Sequence, residues 1–292
     1  MTGRLRSECI RCMLKKYLEK YPADITENQK IEYMQRMLKV FADAPREIGA
    51  PVIVRTISQI QEEMFGIRDA YAGIKKHFNE IMMEREDEIA GKIDAAQDPL
   101  RAAIQYAMVG NYIDYGAMKD VDEEYLTGLL DSAEQQKLDP DSYERLKKDL
   151  QSAGSLAYIT DNCGEIVMDK LLIRTIQKQY PQVRMTVVVR GQEIINDATM
   201  EDAVQVGLTE IVPVIGNGSD IAGTWMKELS EEARTVIENA DVILAKGQGN
   251  YETLRGSDWN LYYLFLCKCE MFAENFHVPR FTGMLVHEET NV

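Results

Sequence analysis

Five short polar clusters hold the residues able to do chemistry in this chain. They are Asp161-Asn162-Cys163-Gly164-Glu165, Arg190-Gly191 with Asn196-Asp197-Ala198-Thr199, Gly216-Asn217-Gly218-Ser219, Lys246-Gly247-Gln248-Gly249-Asn250-Tyr251-Glu252, and Lys268. Asp161, Asn162 and Asp197 offer hard oxygen donors, which suit Mg²⁺ or Mn²⁺ with positions left for water and a phosphate oxygen. Arg190, Lys246 and Lys268 bring the positive charge that would neutralise a phosphoryl group. Glycine-rich turns such as the one at Gly247 let backbone N–H groups approach it closely. An isolated Asp-Asn after a strand is an ordinary Asx turn, so the reading rests on all the clusters together.

Each cluster follows a short apolar run: Leu156-Ala157-Tyr158-Ile159, Met185-Thr186-Val187-Val188-Val189, Ile211-Val212-Pro213-Val214-Ile215, Val242-Ile243-Leu244-Ala245 and Leu261-Tyr262-Tyr263-Leu264-Phe265-Leu266. Helix-like stretches separate the runs, the first from Glu165 to Tyr180, where Pro181 stops it. Continuous β-branched and aromatic runs between helices predict strands buried on both faces, hence a mainly parallel sheet in a three-layer α/β domain. Pro213 fits an edge or a strand start better than a centre. In open sheets of this kind ligands bind outside the carboxyl ends of the strands, so all five clusters are expected at one edge.

The region before residue 153 reads as helix after helix. Apolar stripes run through Ile10, Met13, Leu14, Tyr17, Leu18 and Tyr21, through Ile31, Met34, Leu38 and Phe41, through Ile53, Ile57, Ile60 and Met64, and through Ile67, Tyr71, Ile74, Phe78 and Ile81. The acidic stretch 82–98 reads as a solvated helix end or hinge. Asp98-Pro99 and Asp139-Pro140 each place an N-cap before a proline at the first helical position. The expected organisation is an N-terminal helical domain over 1–95, a second helical segment over 96–152 and a catalytic α/β domain over 153–292.

Composition removes several function classes. With 33 Lys and Arg against 48 Asp and Glu, the formal net charge is −15, and neither half of the chain is basic. Such a field repels nucleic acid and anionic membrane surfaces. Met1 to Glu8 has no apolar stretch behind its charges, which predicts no signal peptide, and no apolar run reaches the ~20 residues of a membrane span. An odd count of 5 Cys in a chain of this length points to a reducing, cytoplasmic setting. A phosphate-binding G-x-x-x-x-G-K-[ST] loop is missing. Lys246-Gly247-Gln248-Gly249 lacks the spacing of a dinucleotide fingerprint. Cys163 stands where a haloacid-dehalogenase-type phosphatase would carry its second Asp.

The ordered set of motifs, from Asp161-Asn162-Cys163-Gly164-Glu165 through Arg190-Gly191, Asn196-Asp197-Ala198-Thr199 and Asp202 to Lys246-Gly247-Gln248-Gly249-Asn250-Tyr251-Glu252 and Lys268-Cys269, resembles the damage-control phosphatase family, formerly domain of unknown function 89. Cys9-Ile10-Arg11-Cys12 is similar to the C-x-x-C of its prokaryotic branch. The resemblance implies hydrolysis of phosphate esters, sugar phosphates or damaged phosphometabolites, with a divalent metal (Mn²⁺, Mg²⁺, Co²⁺ or Ni²⁺). By position it makes Asp161, Asn162 and Asp197 metal ligands, Asn250 and Tyr251 a substrate-contacting loop and Lys268 a phosphate-binding lysine. Eukaryotic relatives end in Arg-Thr-x-Lys; Phe265-Leu266-Cys267-Lys268 keeps only the lysine.

Alternatives stay open at this level. The nucleophile is either a water activated at the metal or the Asp161 carboxylate. Glu165 either assists that water or caps the following helix, and Arg190 contacts either phosphate or Asp197. Glu193 and Asp202 read as structural. Cys9 and Cys12 with Cys267 and Cys269 would make a four-thiolate metal site, a redox pair or plain packing. Cys163 has no nearby His in sequence to activate it. A non-catalytic phosphate or nucleotide sensor competes with the phosphatase, as does a methyltransferase-like activity, for which no methyl-donor motif is present. The expected partner is a small phosphorylated metabolite; a homo-oligomer is left open.

Overall fold

The computed structural model describes residues 5–67, 71–116 and 121–288. Met1 to Arg4, part of the leader reading, lie outside the described residues. The first half runs α1 (Ser7–Tyr17), α2 (Glu27–Asp43), α3 (Ala50–Phe65), α4 (Ala72–Glu84), α5 (Glu86–Ala95), α6 (Pro99–Gly110), α7 (Glu123–Asp131) and α8 (Pro140–Ser152). The caps are those that side-chain chemistry dictates. Asp98 accepts from the Arg101 N–H at the start of α6, and Asp139 accepts from the Ser142 N–H at the start of α8, each followed by proline. Thr26 and Gln29 close a reciprocal capping box on α2. The acidic stretch is not a bare hinge: α5 occupies it and buries Ile89 and Ile93.

After Ser155 the elements alternate: β1 (Ser155–Ile159), α9 (Glu165–Gln179), β2 (Arg184–Val189), α10 (Met200–Gln205), β3 (Val214–Gly216), α11 (Glu231–Glu238), β4 (Val242–Lys246), α12 (Gly247–Leu254), β5 (Leu261–Leu266), α13 (Glu270–Phe276) and β6 (Gly283–His287). The sheet order is β3-β2-β1-β4-β5-β6. All pairs are parallel except β5 with β6. Strands fan outward in both directions from β1 and β4, so the topological switch point lies between their carboxyl ends.

Both faces of the sheet are covered. Leu156, Tyr158, Val187, Leu244, Tyr262 and Leu264 join the large core that also takes in α4 to α9. Their neighbours Ala157, Ile159, Val188, Ile243, Tyr263 and Phe265 pack with Ala233, Ile237 and Leu254 on the other side. Alternate residues facing two apolar layers are what makes the strand sequences continuously hydrophobic. Helices α1 to α3 have a separate small core of Met13, Tyr17, Tyr33, Met37, Ile53, Ile57 and Ile60.

Three expectations are corrected. The strand expected at Ile211–Ile215 begins only at Val214, because the Ile211 and Val212 N–H groups turn back onto the Leu208 carbonyl. As its proline predicted, it lies at the sheet edge. Strand β6 was not expected; it is a five-residue antiparallel edge strand that reads too briefly for periodicity to register. In α2 the buried face carries Tyr33 and Met37, whereas Ile31 and Leu38 of the apparent stripe are exposed at 46% and 52%.

Candidate active site

The site begins where β1 and β2 stop. The chain after β1 keeps pairing with the segment after β2: the Ala198 N–H donates to the Asp161 carbonyl (2.7 Å), the Cys163 N–H donates to the Asn196 carbonyl (2.8 Å), and Asn162 and Asp197 form an isolated antiparallel bridge. This pairing sets two acids, far apart in sequence, side by side. Gly164, at φ 67°, then turns the chain into α9 against Ile113 and Phe78, leaving no room for a side chain.

Arg190, at the end of β2 and 1% exposed, spans the two acids. Its Nε donates to Asp197 Oδ2 at 2.6 Å, and Nη2 lies 3.5 Å from Asp161 Oδ1. Its Nη1 is buried with no hydrogen-bond partner. Lys268, just beyond β5, pairs with Asp114 Oδ2 at 2.5 Å and donates to the Asn111 carbonyl. Across from them, Gly247 at φ 79° gives Asp161 its clearance: a Cβ there would come within 1.9 Å of Asp161 Oδ2.

Electrostatically the cluster is overloaded with acid. Burial, then the neighbouring charges of Asp197, Glu165 and Asp114, push the Asp161 carboxyl well above its ordinary range. Burial lifts Asp197 to about 6, although Arg190 pulls the other way.

Residues 5–282 match the family described as damage-control phosphatase ARMT1-like domain. The chain belongs to that family. A damage-control phosphatase of Archaeoglobus fulgidus is 34% identical over 277 residues, covering 92% of this chain and 94% of the relative. A damage-control phosphatase of Pyrococcus horikoshii is 30% identical over 290 residues, covering 97% of each. The crystal structure of a DUF89 family protein from Pyrococcus horikoshii superposes with a TM-score of 0.79 at 27% identity, covering 99% of both chains.

This ARMT1-like domain gathers a donor set that suits a hard dication. Two buried carboxylates, Asp161 and Asp197, with the amide of Asn162 beside them, carry mutual repulsion that a divalent cation would relieve. Asn162 spends its backbone N–H and its amide nitrogen on Glu165 Oε2, at 3.2 and 2.9 Å. Among the described residues no three His, Cys, Asp or Glu side chains gather as a metal site; the expected set differs in having only two carboxylates and an amide.

Two residues that the strand-end logic missed complete the arrangement. Asn111, at the C-terminus of α6, donates through Nδ2 to Asp161 Oδ2 (3.0 Å) and Glu165 Oε2 (2.9 Å) and accepts from the Leu266 N–H (3.0 Å). Asp114 faces Lys268. Asn196 supports their loop, donating to the Ile113 carbonyl and accepting from the Tyr115 N–H. The available signal was that α6 is buried from Ala102 to Gly110, so polar groups at its end must be used inside the protein.

Other expected site residues are placed elsewhere. Lys246 is fully buried, and its ammonium donates to Glu165 Oε1 (2.6 Å), Asp169 Oδ1 (2.6 Å) and the Ala107 carbonyl (2.8 Å), so none of its three N–H groups is left for a phosphate. Asn250 is likewise spent, donating to the Thr160 and Lys246 carbonyls and accepting from Thr224 Oγ1. The Tyr251 ring packs among Tyr263, Phe265, Phe272 and Phe276 on the other side of the sheet from α9. Glu193 and Asp202 both pair with Lys75, and Asp202 also closes the capping box of α10.

Among the described residues the thiols do not gather as a metal centre. Cys267 is fully buried, Cys12 is exposed, and Cys9 Sγ rests 3.9 Å from Met271 Sδ. Burial holds the Cys163 thiol far above its ordinary range, which removes it as a nucleophile.

Proposed function

We propose that this chain is a divalent-metal-dependent phosphoric monoester hydrolase acting on small phosphorylated metabolites, sugar phosphates or damaged phosphometabolites, in the cytoplasm. One observation carries the reading. At the switch point of the sheet, Asp161 and Asp197 flank a guanidinium whose Nη1 is buried without a partner, with Lys268 nearby. A buried, unpaired N–H beside clustered acids is costly unless an anion and a cation share the site. The names of the Archaeoglobus and Pyrococcus relatives support the phosphatase part of this reading, and the Cys9-x-x-Cys12 pair is the feature that would assign the chain to the prokaryotic branch.

Asp161, Asn162 and Asp197 would hold the dication. Bound there, Mn²⁺, Mg²⁺, Co²⁺ or Ni²⁺ supplies Lewis-acid polarisation of a phosphoryl oxygen and lowers the pKa of water. Arg190 Nη1, a donor without a partner, would be available to a phosphoryl oxygen, and Lys268 would offset negative charge that develops during transfer. With Arg190 and Lys268 only 1% and 2% exposed, these charges act with little screening by water.

The test is turnover of p-nitrophenyl phosphate with each of the four metals against a chelator control. Phosphate release that needs metal is expected. Release unaffected by the chelator removes the metal; thermal stabilisation by inorganic phosphate without any turnover indicates a sensor instead.

A further inference from the structure

Beneath the site lies a second charged group whose side chains reach the proposed metal ligands through Glu165. Glu165, Asp169 and Lys246 are all completely buried. Lys246 Nζ lies 2.6 Å from both Glu165 Oε1 and Asp169 Oδ1, and the Tyr158 hydroxyl donates to the same Asp169 oxygen at 2.8 Å. The other oxygen of Glu165 accepts from three donors: the Asn162 N–H, Asn162 Nδ2 and Asn111 Nδ2. Both of those amide nitrogens also donate to Asp161 Oδ2, at 2.7 and 3.0 Å.

The connectivity defines a direction of influence. Lys246 holds one oxygen of Glu165, which fixes where the second oxygen lies. That oxygen orients the amides of Asn111 and Asn162, and the amides orient Asp161. A buried ion pair is weak as a source of stability, because desolvating the ions offsets their attraction. What such a triad can supply is a fixed geometry, and its hydrogen bonds are met at Lys246, Glu165 and Asp169 Oδ1, with Asp169 Oδ2 buried without a partner.

We propose that Lys246 and Asp169 are positioning residues whose buried contacts with Glu165 set the rotamers of Asn162 and Asp161, and through them the affinity of the site for its divalent metal. The inference rests on the proposed metal-dependent reading. Partners of this kind, one step behind the ligands, commonly change metal affinity by about 10–100-fold.

The test uses the full chain, with manganese alone titrated by calorimetry and p-nitrophenyl phosphate kinetics at saturating manganese. Asp169→Asn keeps the size of the side chain and an oxygen for Tyr158 and Lys246, removes the charge and puts an amide NH2 where the unpartnered Oδ2 stood. It is expected to fold and to bind Mn²⁺ about tenfold more weakly, with kcat restored in part at high metal. Tyr158→Phe, milder still, removes one hydrogen bond to Asp169 and is expected to move affinity in the same direction by about threefold. A purely structural triad would lower the thermal midpoint and leave Mn²⁺ affinity unchanged; that result in either folded variant overturns the inference. If the wild-type chain binds no Mn²⁺, the proposed function falls, and the inference falls with it. Normal wild-type binding matched by either folded variant removes the inference alone.

Discussion

Two charged clusters sit one behind the other at the carboxyl ends of β1 and β4, and they differ in access. The outer one, Asp161, Asp197 and Asp114 with Arg190 and Lys268, retains slight exposure, 6% at Asp161 and 9% at Asp114. The inner one, Glu165, Asp169 and Lys246, has none. In the outer cluster the unpartnered atom is a donor, Arg190 Nη1, whereas in the inner cluster every N–H of Lys246 is used and the unpartnered atom is an acceptor, Asp169 Oδ2. Burial pulls the Lys246 ammonium down, but Asp169 and Glu165 outweigh it and hold it above its ordinary value. A lysine at a strand end is therefore not by itself a ligand-binding lysine. Position relative to the sheet's end decides: Lys246 is still within β4 and points inward, while Lys268 lies beyond β5.

Substitutions separate the two clusters. Asp197→Asn in the outer one is expected to lower kcat/KM on the order of a thousandfold with little change in the unfolding midpoint, measured by steady-state kinetics and thermal melts. Near-normal turnover would break the assignment. Lys246→Met in the inner one is expected to cost stability first, about 3–5 kcal/mol in a denaturant titration, since it leaves Glu165 and Asp169 uncompensated. An unchanged midpoint would show that the inner cluster is not held by its cation. Gly247→Ala lies between the clusters. Its methyl group would meet Asp161, and its φ of 79° is strained for alanine, so a loss of roughly 10–100-fold in kcat/KM is expected.

Acid sharpens the contrast more gently. Asp197 holds its proton to about 6 in the folded chain because it is buried, above the ordinary ~4 of an exposed Asp. Between those values the folded state binds more protons than the unfolded one, so this group costs the metal-free protein stability as pH rises. A dication requires the carboxylate form. Manganese affinity is therefore expected to fall about tenfold from pH 7 to pH 5, by calorimetry at both values; a flat profile would place Asp197 outside the ligand set. The smallest effect is expected at Tyr251, whose ring lies in an aromatic cluster away from both groups. Tyr251→Phe should change kcat/KM by less than about twofold, and a larger loss would restore it to the substrate contacts.

Much of this was legible in the residues themselves. Parallel strands, helix starts at Asp98 and Asp139 and the edge position near Pro213 follow from local patterns, because buried strands must be apolar on both faces and helix N-termini need acceptors. What was not legible came from contacts between distant segments. The α2 stripe through Ile31 and Leu38 is apolar by composition, yet helix packing chose Tyr33 and Met37, whose faces overlap it. Strand β6 depends on β5 for its pairing and has too few residues to announce itself. Asn111 and Asp114 sit in a helical half with no strand end to mark them.

The polypeptide alone determined the alternation of elements and the presence of acids, amides and cations after the strands, since both arise from neighbours in sequence. Only the tertiary structure decided which of those groups meet. Asp161 reaches Asp197 because two strand ends go on pairing past the sheet, and Asn111 reaches Asp161 because α6 ends inside the protein. Lys246 is withdrawn from the surface because two carboxylates of α9 lie under the end of β4. Charge and hydrogen-bond satisfaction in a dry interior are properties of the assembled fold, and no single segment contains them.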